Sequence, residues 1–483
     1  MFEGWRGRHF GGAAAGIRRA AVATVGLCLV PMLAGCLFNE RSLLGVEIPE
    51  RYKTAHSLSP TPPPALDWWR GFRSAELTAL IEEAQTANFD VAAAVAKIIQ
   101  ADAQSKIAGA PLLPAAELDA SVTRSRPAGG LDRTTWRTAI TASYEIDFWG
   151  KNRAASRAAQ QSAIAARFDR DTVVISTVVS VATAYFLVLS SQDRLRIANQ
   201  NVEAASRVLT LIRQRQEAGT ASALEVAQQE TLVASQRAQV PILDEVLRQN
   251  KATLALLIGK PPEFVRIRGG SLYSLGIPRV SPGLPSELLY QRPDIRSAEA
   301  TLASTDASVE SARAAFFPSI QLTGQGGFTS TALRTLFRPE SAFYSLAAGL
   351  TQPIFDGWLL EGQLERAQGQ QLESLSLYRK AVVSGFTDVE RALIAVQDSA
   401  ERERLQQQVV DASRRAFGIA ETRLREGTVD LVTVLITQQA LFTAEENRVT
   451  ARLARLQAVL SLYQALGGSW LPKPPDVRVT TQQ

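Results

Sequence analysis

The sequence predicts a mainly α-helical chain with a small β part, built as two copies of one unit. Three observations predict this. The stretch 151–218 contains neither Pro nor Gly and is rich in Ala, Gln, Arg and Leu, and 358–426 repeats that composition less cleanly; such a composition favours long helix. Four shorter segments alternate apolar and polar residues with period two, which is the strand pattern. Landmarks also recur: Asp90 and Asp294, like Pro114 and Pro318, are 204 residues apart, whereas Gly219 and Gly427, like Gly259 and Gly467, are 208 apart. That period is far too long for a solenoid, so it marks a two-fold internal repeat.

Composition removes most enzyme classes. The 483 residues are 46% hydrophobic and 20% charged, enough to bury a sizeable core. There are two Cys, two Met and two His, and only Cys36 and His56 lie beyond residue 35. A metal site of His, Cys or Met, a disulfide framework and His-based acid/base chemistry therefore lack their parts, and His56, beside a Pro-rich stretch, reads as solvated surface. No metal and no catalytic residue is expected. The net charge of +5 falls to 48 basic against 46 acidic residues once Arg6, Arg8, Arg18, Arg19 and Glu3 are set aside, which gives a nucleic-acid partner no support.

The elements follow in order. Arg18 and Arg19 precede an apolar run that ends in Leu33-Ala34-Gly35-Cys36, the layout of a secretory signal. Its last four residues resemble a bacterial lipobox, so residues 1–35 are read as a lipoprotein signal peptide and Cys36 as the lipid attachment site. Leu37 is not the Asp that favours inner-membrane retention, so the expected anchor is the outer membrane. Residues 36–66 form an N-terminal spacer, semi-rigid where 59–64 is Pro-rich. The first repeat, 67–268, is expected to hold a leading helix near 91–108, a β-hairpin at 115–148 and a long helical hairpin at 151–258. A Gly/Pro-rich linker, 269–285, leads to the second repeat, 286–470, with a helix near 295–315, a β-hairpin at 318–355 and a helical hairpin at 358–466. A tail, 471–483, closes the chain. Gly219 and Gly427 stop the long helices, and two long antiparallel helices joined by a tight turn make a coiled-coil hairpin, so each repeat reads as a stave of a tall helical wall. Pro241 should interrupt the returning helix. The uncharged run 172–192 is long enough to span a bilayer, but its repeat counterpart carries Asp388, Glu390 and Arg391, so a buried helix is the better assignment.

In the first hairpin Trp136, Thr138, Ile140, Ala142, Tyr144, Ile146 and Phe148 share one face, and Arg137, Thr141, Ser143, Glu145 and Asp147 the other. Leu118, Ala120 and Val122 alternate likewise with Asp119, Ser121 and Thr123, with the turn at 127–130; Ile320, Leu322, Tyr344, Leu346 and Leu350 repeat the pattern in the second copy. Apolar-out, polar-in alternation with aromatics near both ends is the signature of an outer-membrane strand. Four such strands in lipid leave edges whose backbone groups find no water, and only closed barrels tolerate that. The chain is therefore expected to share a barrel with copies of itself around a polar lumen. A periplasmic coiled-coil scaffold lipoprotein with soluble hairpins would instead leave these apolar faces in water.

Asp67-Trp68-Trp69-Arg70-Gly71-Phe72, the run Leu289 to Ile295 (LYQRPDI), the run Ala312 to Pro318 (ARAAFFP) and the closing Leu466-Gly467-Gly468-Ser469-Trp470 together resemble the TolC-like outer-membrane factors of tripartite efflux pumps, specifically the lipidated NodT/OprM-like branch. The resemblance implies a homotrimer whose strands close one 12-stranded outer-membrane β-barrel, continuous with a long α-helical coiled-coil barrel in the periplasm. It implies a periplasmic adaptor protein and an inner-membrane RND-type transporter as partners, outer-membrane lipid around the barrel, and a passive exit duct for small molecules with no active site. No cofactor is expected beyond the covalent lipid on Cys36. An outer-membrane conduit for type I protein secretion has the same parts and stays open as the alternative.

The resemblance also places a periplasmic gate just after Gly427. Its apolar constriction falls on Val432; the position of its usual carboxylate falls on Ile436, so that Asp is absent here, and a latching Tyr ahead of the glycine is replaced by Leu424. Arg423, Arg425 and Asp430 remain available. Closure is then expected to rest on a Val432/Ile436 ring, which can gate by dewetting, aided by those charges. The competing assignment makes both residues coiled-coil core at four-residue spacing. Gly219-Thr220 and Gly427-Thr428 fall at the two hairpin tips, where the resemblance implies adaptor docking and where plain helix-cap glycines are the simpler alternative.

Overall fold

The computed structural model describes residues 45–54, 67–280 and 282–468. The signal segment, Cys36, His56, the Pro-rich stretch and the tail 471–483 lie outside the described residues. The first copy runs through α1 (Ala75–Ala87), α2 (Phe89–Gly109), β1 (Ala115–Ser125), β2 (Arg133–Ile146), α3 (Lys151–Glu217) and α4 (Ala223–Leu257). The second runs through α5 (Pro285–Gln291), α6 (Pro293–Ala314), β3 (Ser319–Ser330), β4 (Ala342–Thr351), α7 (Leu359–Arg425) and α8 (Leu431–Ala465). The repeat holds to the residue in the four long hairpin helices: α3 and α7 have 67 residues each, and α4 and α8 have 35 each. At the α-helical rise α3 and α7 are about 100 Å long.

Two features depart from expectation. α4 continues through Pro241 as one helix, so the interruption expected there does not occur. The short helices α1 and α5, ahead of the leading helices, were not anticipated. α1 starts where the Ser74 hydroxyl accepts from the Leu77 amide at 3.1 Å, and it buries Leu77, Leu80, Ile81 and Ala84, the 3- and 4-residue spacing of one helix face.

The break between short and leading helix is built the same way twice. In the first copy Asn88 donates from Nδ2 to the Leu257 carbonyl at 2.8 Å while its Oδ1 accepts from the amides of Asp90 and Val91. In the second, Arg292 donates to the Ala465 carbonyl at 3.1 Å and pairs with Asp294 and Asp388. Asn88 and Arg292 are repeat mates, and each supplies a donor to the otherwise unpaired C-terminal carbonyls of the returning helix. Beside them the closing glycines come against backbone: a Cβ on Gly259 would overlap the Ala87 carbonyl, and one on Gly467 would lie 2.7 Å from the Gln291 carbonyl oxygen.

The largest hydrophobic cluster packs Trp68, Phe72, Leu77 and Ile81 against Val181, Tyr185, Phe186 and Leu189 of α3, with Leu456, Val459 and Tyr463 of α8. Trp68 stacks on Tyr463 with centroids 4.3 Å apart, so the N-terminal aromatic motif ties the first repeat to the last helix of the second. The apolar run 172–192 is therefore core: α3 is long and apolar enough to cross a membrane, but its apolar side chains here are packed within the chain. The segment between repeats is clamped rather than free. Asp193 of α3, fully buried, accepts from the Leu272 amide and the Ser271 hydroxyl at 2.9 and 3.0 Å. From the other side Arg452 of α8 donates to the carbonyls of Leu272 and Leu275 at 3.3 and 2.7 Å.

All four strands form one antiparallel sheet in the order β1-β2-β3-β4. The two hairpins are thus joined through β2 and β3, with Ile146 opposite Ile320 and Trp136 opposite Ser330.

Candidate functional site

The sheet keeps its two chemistries apart across all four strands. One row reads Leu118, Ile140, Gly326, Tyr344, and parallel rows carry Val122 with Trp136, and Tyr144 with Leu322 and Ala348. The opposite face reads Glu117, Thr141, Gln325, Ser345 in one row and Asp119, Ala139, Gly327, Phe343 in another. The register therefore extends the alternation seen within each strand into a continuous apolar face and a polar one. Leu118 is 74% exposed, Tyr344 85% and Leu346 82%. A contiguous apolar sheet face of this kind marks a lipid or protein contact. On the polar face Arg137 donates to the side-chain amide oxygen Oε1 of Gln325 at 2.7 Å and lies 4.9 Å above the Phe343 ring. β1 and β4 each present one unpaired edge.

Aromatics gather where the sheet meets the helices. Trp149 stacks on Phe317 at 4.6 Å, donates from its indole nitrogen to the Pro318 carbonyl at 2.9 Å and meets Phe148 edge-on. Phe355 and Trp358 stand exposed on the β4–α7 connection. Amphipathic rings at this height suit a membrane interface.

At the far ends of the long helices both hairpin tips use one local design. Gly219 has φ +75° and Gly427 has φ +74°, the left-handed conformation that ends a helix. The amides of Thr220 and Thr428 return to the carbonyls of Arg215 and Arg423 at 2.8 and 2.9 Å. Apart from its own neighbours in sequence, no atom of the described residues lies within 4 Å of a Cβ built on either glycine, so each is required by its backbone angle and leaves the tip surface open. The chain restarts at Ser222, whose capping box with Glu225 opens α4, and at Asp430, which accepts from the Thr433 amide and hydroxyl at 3.0 and 2.6 Å. Those two Thr433 bonds hold the Asp430 carboxyl below its usual range.

Val432 and Ile436 are 49% and 64% exposed. The core of this end is made instead by Leu431, Val434 and Leu441 with Val208, Ile212, Phe417 and Leu424. The coiled-coil-core assignment for Val432 and Ile436 therefore fails within the chain; both lie on an outward apolar side of α8. The charges expected to assist them are engaged locally: Asp430 caps α8, and Arg425 pairs with Glu421 at 2.8 Å. Arg423 makes no ion pair among the described residues. A polar contact that joins the two tips was not foreseen. Arg215, in the last turn of α3, donates from Nη1 to the Leu424 carbonyl at the end of α7, at 2.8 Å. The available signal was the repeat itself, since Arg215 is the mate of Arg423.

Comparison with known proteins agrees with this architecture. The family profile described as "Outer membrane efflux protein" matches residues 80–260 and 284–468, one match per repeat. The pyoverdine export outer membrane protein OpmQ of Pseudomonas putida KT2440 is 39% identical over 464 residues, covering 93% of this chain and 98% of that protein. OpmQ of Pseudomonas aeruginosa PAO1 is 42% identical over 417 residues, covering 83% and 87%. Among solved structures, the open state of the Neisseria gonorrhoeae MtrE outer membrane channel superposes with a TM-score of 0.80 at 28% identity, covering 89% of this chain and 97% of that one.

Proposed function

The chain belongs to the outer membrane efflux protein family and is an outer-membrane efflux channel rather than an enzyme, and on that premise we propose that three copies assemble into a single exit duct. The observation that carries the shared barrel is the open sheet: four strands with an exposed apolar face and two unpaired edges cannot sit in lipid until the edges are closed. Three copies supply twelve strands, within the bacterial barrel range of about 8 to 26.

The finer parts of the proposal follow from the same arrangement. A periplasmic adaptor and an inner-membrane RND-type transporter deliver cargo; the open tips at Gly219-Thr220 and Gly427-Thr428 receive the adaptor. Val432 and Ile436 narrow the periplasmic end of the lumen. Cys36 carries the lipid that holds the N-terminus at the outer membrane, where several acyl chains give a stable anchor. The cargo is a small secreted molecule, and the higher identity to the two pyoverdine exporters than to the toluene efflux protein TtgF of Pseudomonas putida, at 32%, favours a pyoverdine-like one.

The test is export by living cells. Deleting the gene should cause a fluorescent efflux dye to accumulate, and wild-type chain should restore its export. Gly219→Trp should fail to restore export while giving the same amount of assembled protein in the outer membrane, because an indole at an open tip blocks a backbone approach without disturbing a neighbour in the chain. Normal export by Gly219→Trp would remove the docking assignment.

A further inference from the structure

We infer that the connection between β3 and β4, residues 331–341, is a binding seat for the phosphorylated glycolipid of the outer leaflet, with Arg334 and Arg338 on its phosphates and Leu333 and Phe337 against its acyl chains. The inference rests on the lipid-facing assignment of the apolar sheet face and is independent of how many copies close the barrel.

The sheet has helices at one end only. The connections 126–132 and 331–341 lie at the other, which in an outer-membrane channel reaching into the periplasm is the extracellular end. Phe328 shares a row with Thr138 and Ala342, between the rows of Trp136 and Ile140, and so belongs to the apolar face. Phe337 meets Phe328 edge-on with ring centroids 5.6 Å apart, which places this part of the connection on the lipid side. Hydroxyl groups hold it in shape from within. Ser330 and Thr335 join through their side-chain oxygens at 2.6 Å, and the Ser341 hydroxyl donates to the Thr335 carbonyl at 2.8 Å.

The fixed segment is a helical turn: the Leu336 amide returns to the Leu333 carbonyl and the Arg338 amide to the Thr335 carbonyl, both at 3.2 Å. Residues four apart on such a turn are neighbours about 5–6 Å apart, so Leu333 stands beside Phe337 and Arg334 beside Arg338. Leu336 is buried beneath them, whereas Leu333 is 56% and Phe337 71% exposed. Both arginines are exposed, and neither has an ion pair among the described residues. Bare apolar side chains next to unneutralised guanidinium groups fit a ligand that is itself half apolar and half anionic. The outer leaflet offers one, a glycolipid with phosphates on a sugar core above several acyl chains, and the guanidinium fork matches phosphate geometry.

Charge along the sheet points the same way. At the outer end, Arg124, Arg126, Arg133, Arg334 and Arg338 stand against Asp132 and Glu340 only, and Arg124 and Arg126 share the one Asp132 carboxylate. At the helix end the cations are matched, Lys151 with Glu145 at 2.6 Å and Arg153 with Asp147 at 3.2 Å. Arg133 lies at the outer end too, but its place in the alternation puts it on the polar face with Arg137. It carries the same charge at a similar height on the wrong side for lipid, and it serves as the internal control.

The test is native mass spectrometry of the full chain in detergent, titrated with diphosphoryl lipid A, with phosphatidylglycerol as a second acidic lipid. Wild type should bind lipid A more tightly than phosphatidylglycerol. Arg334→Ser with Arg338→Ser should weaken lipid A binding by about tenfold or more, the scale of lost charge-assisted hydrogen bonds, with assembly and dye export unchanged. Arg133→Ser should bind as wild type does, and inorganic phosphate should not compete, because it lacks the apolar half. Unchanged lipid A affinity in the double variant, an equal loss in Arg133→Ser, or equally tight phosphatidylglycerol binding would overturn the seat while leaving the exit duct intact. A chain that stays in solution without detergent would overturn the lipid-facing premise itself.

Discussion

Val432→Ala combined with Ile436→Ala should make the resting channel leak, with several-fold higher single-channel conductance and vancomycin entry and an unchanged amount of assembled protein. Both side chains are about half exposed or more, so truncating them removes little packing within the chain, and the cost should appear in permeation rather than in stability. A ring of such side chains holds a pore shut by excluding water, and alanines narrow it less and repel water less. Ile436→Asp should act in the same direction by placing a hydrated charge in the ring. Arg215→Ala should add to the leak from a different cause: it removes the bond to the Leu424 carbonyl that ties α3 to α7 at the tips, worth about 1 kcal/mol for a partly exposed hydrogen bond. Wild-type conductance and vancomycin resistance in the Val432→Ala, Ile436→Ala variant would show that the constriction lies elsewhere.

Glycine-to-alanine substitution at four helix ends should separate into two classes. Gly219, Gly427, Gly259 and Gly467 all have φ between +72° and +80°, so each alanine bears the left-handed penalty of roughly 1 kcal/mol. At Gly219 and Gly427 that is the whole effect, because nothing lies within 4 Å of the added Cβ. At Gly259 and Gly467 the methyl group runs into the backbone of Ala87 or Gln291, which no rotamer change relieves. Helix ends that Asn88 and Arg292 hold together must then separate, at a total cost of about 3 kcal/mol or more. Thermal dissociation of the purified assembly should fall only slightly for Gly219→Ala and Gly427→Ala and steeply, or with loss of assembly altogether, for the other two. Equal effects at all four would mean that the close approach of helix end to carbonyl contributes nothing.

The large features were legible because they rest on local patterns. A stretch without Gly or Pro foretells a long helix, and residues 172–192 could be assigned to a packed helix because their repeat mates are charged. Strand faces were readable from alternation alone; the pairing of Ile146 with Ile320 was not, since nothing inside either hairpin says which edge joins the other. α1 was readable and was missed: Ser74 three residues before Leu77, followed by the spacing of Leu77, Leu80, Ile81 and Ala84, is a capped amphipathic helix. Asp430 carries a local signal of its own: a carboxylate three residues before Thr433 at a helix start is an N-cap, and the structure shows that role. Arg292 could be recognised only as part of a motif, because its bond to the Ala465 carbonyl joins residues 173 apart. The reach of Arg215 to Leu424 across 209 residues was hidden for the same reason.

The central claim, that copies of this chain close one conducting barrel, is tested most directly by planar-bilayer recording on the purified full chain, with its subunits counted by native mass. The account predicts ion current from a trimer, small at rest and several-fold larger for the Val432→Ala, Ile436→Ala variant. Absence of current from wild type and variant alike, in a preparation that is monomeric and needs no detergent, would contradict it.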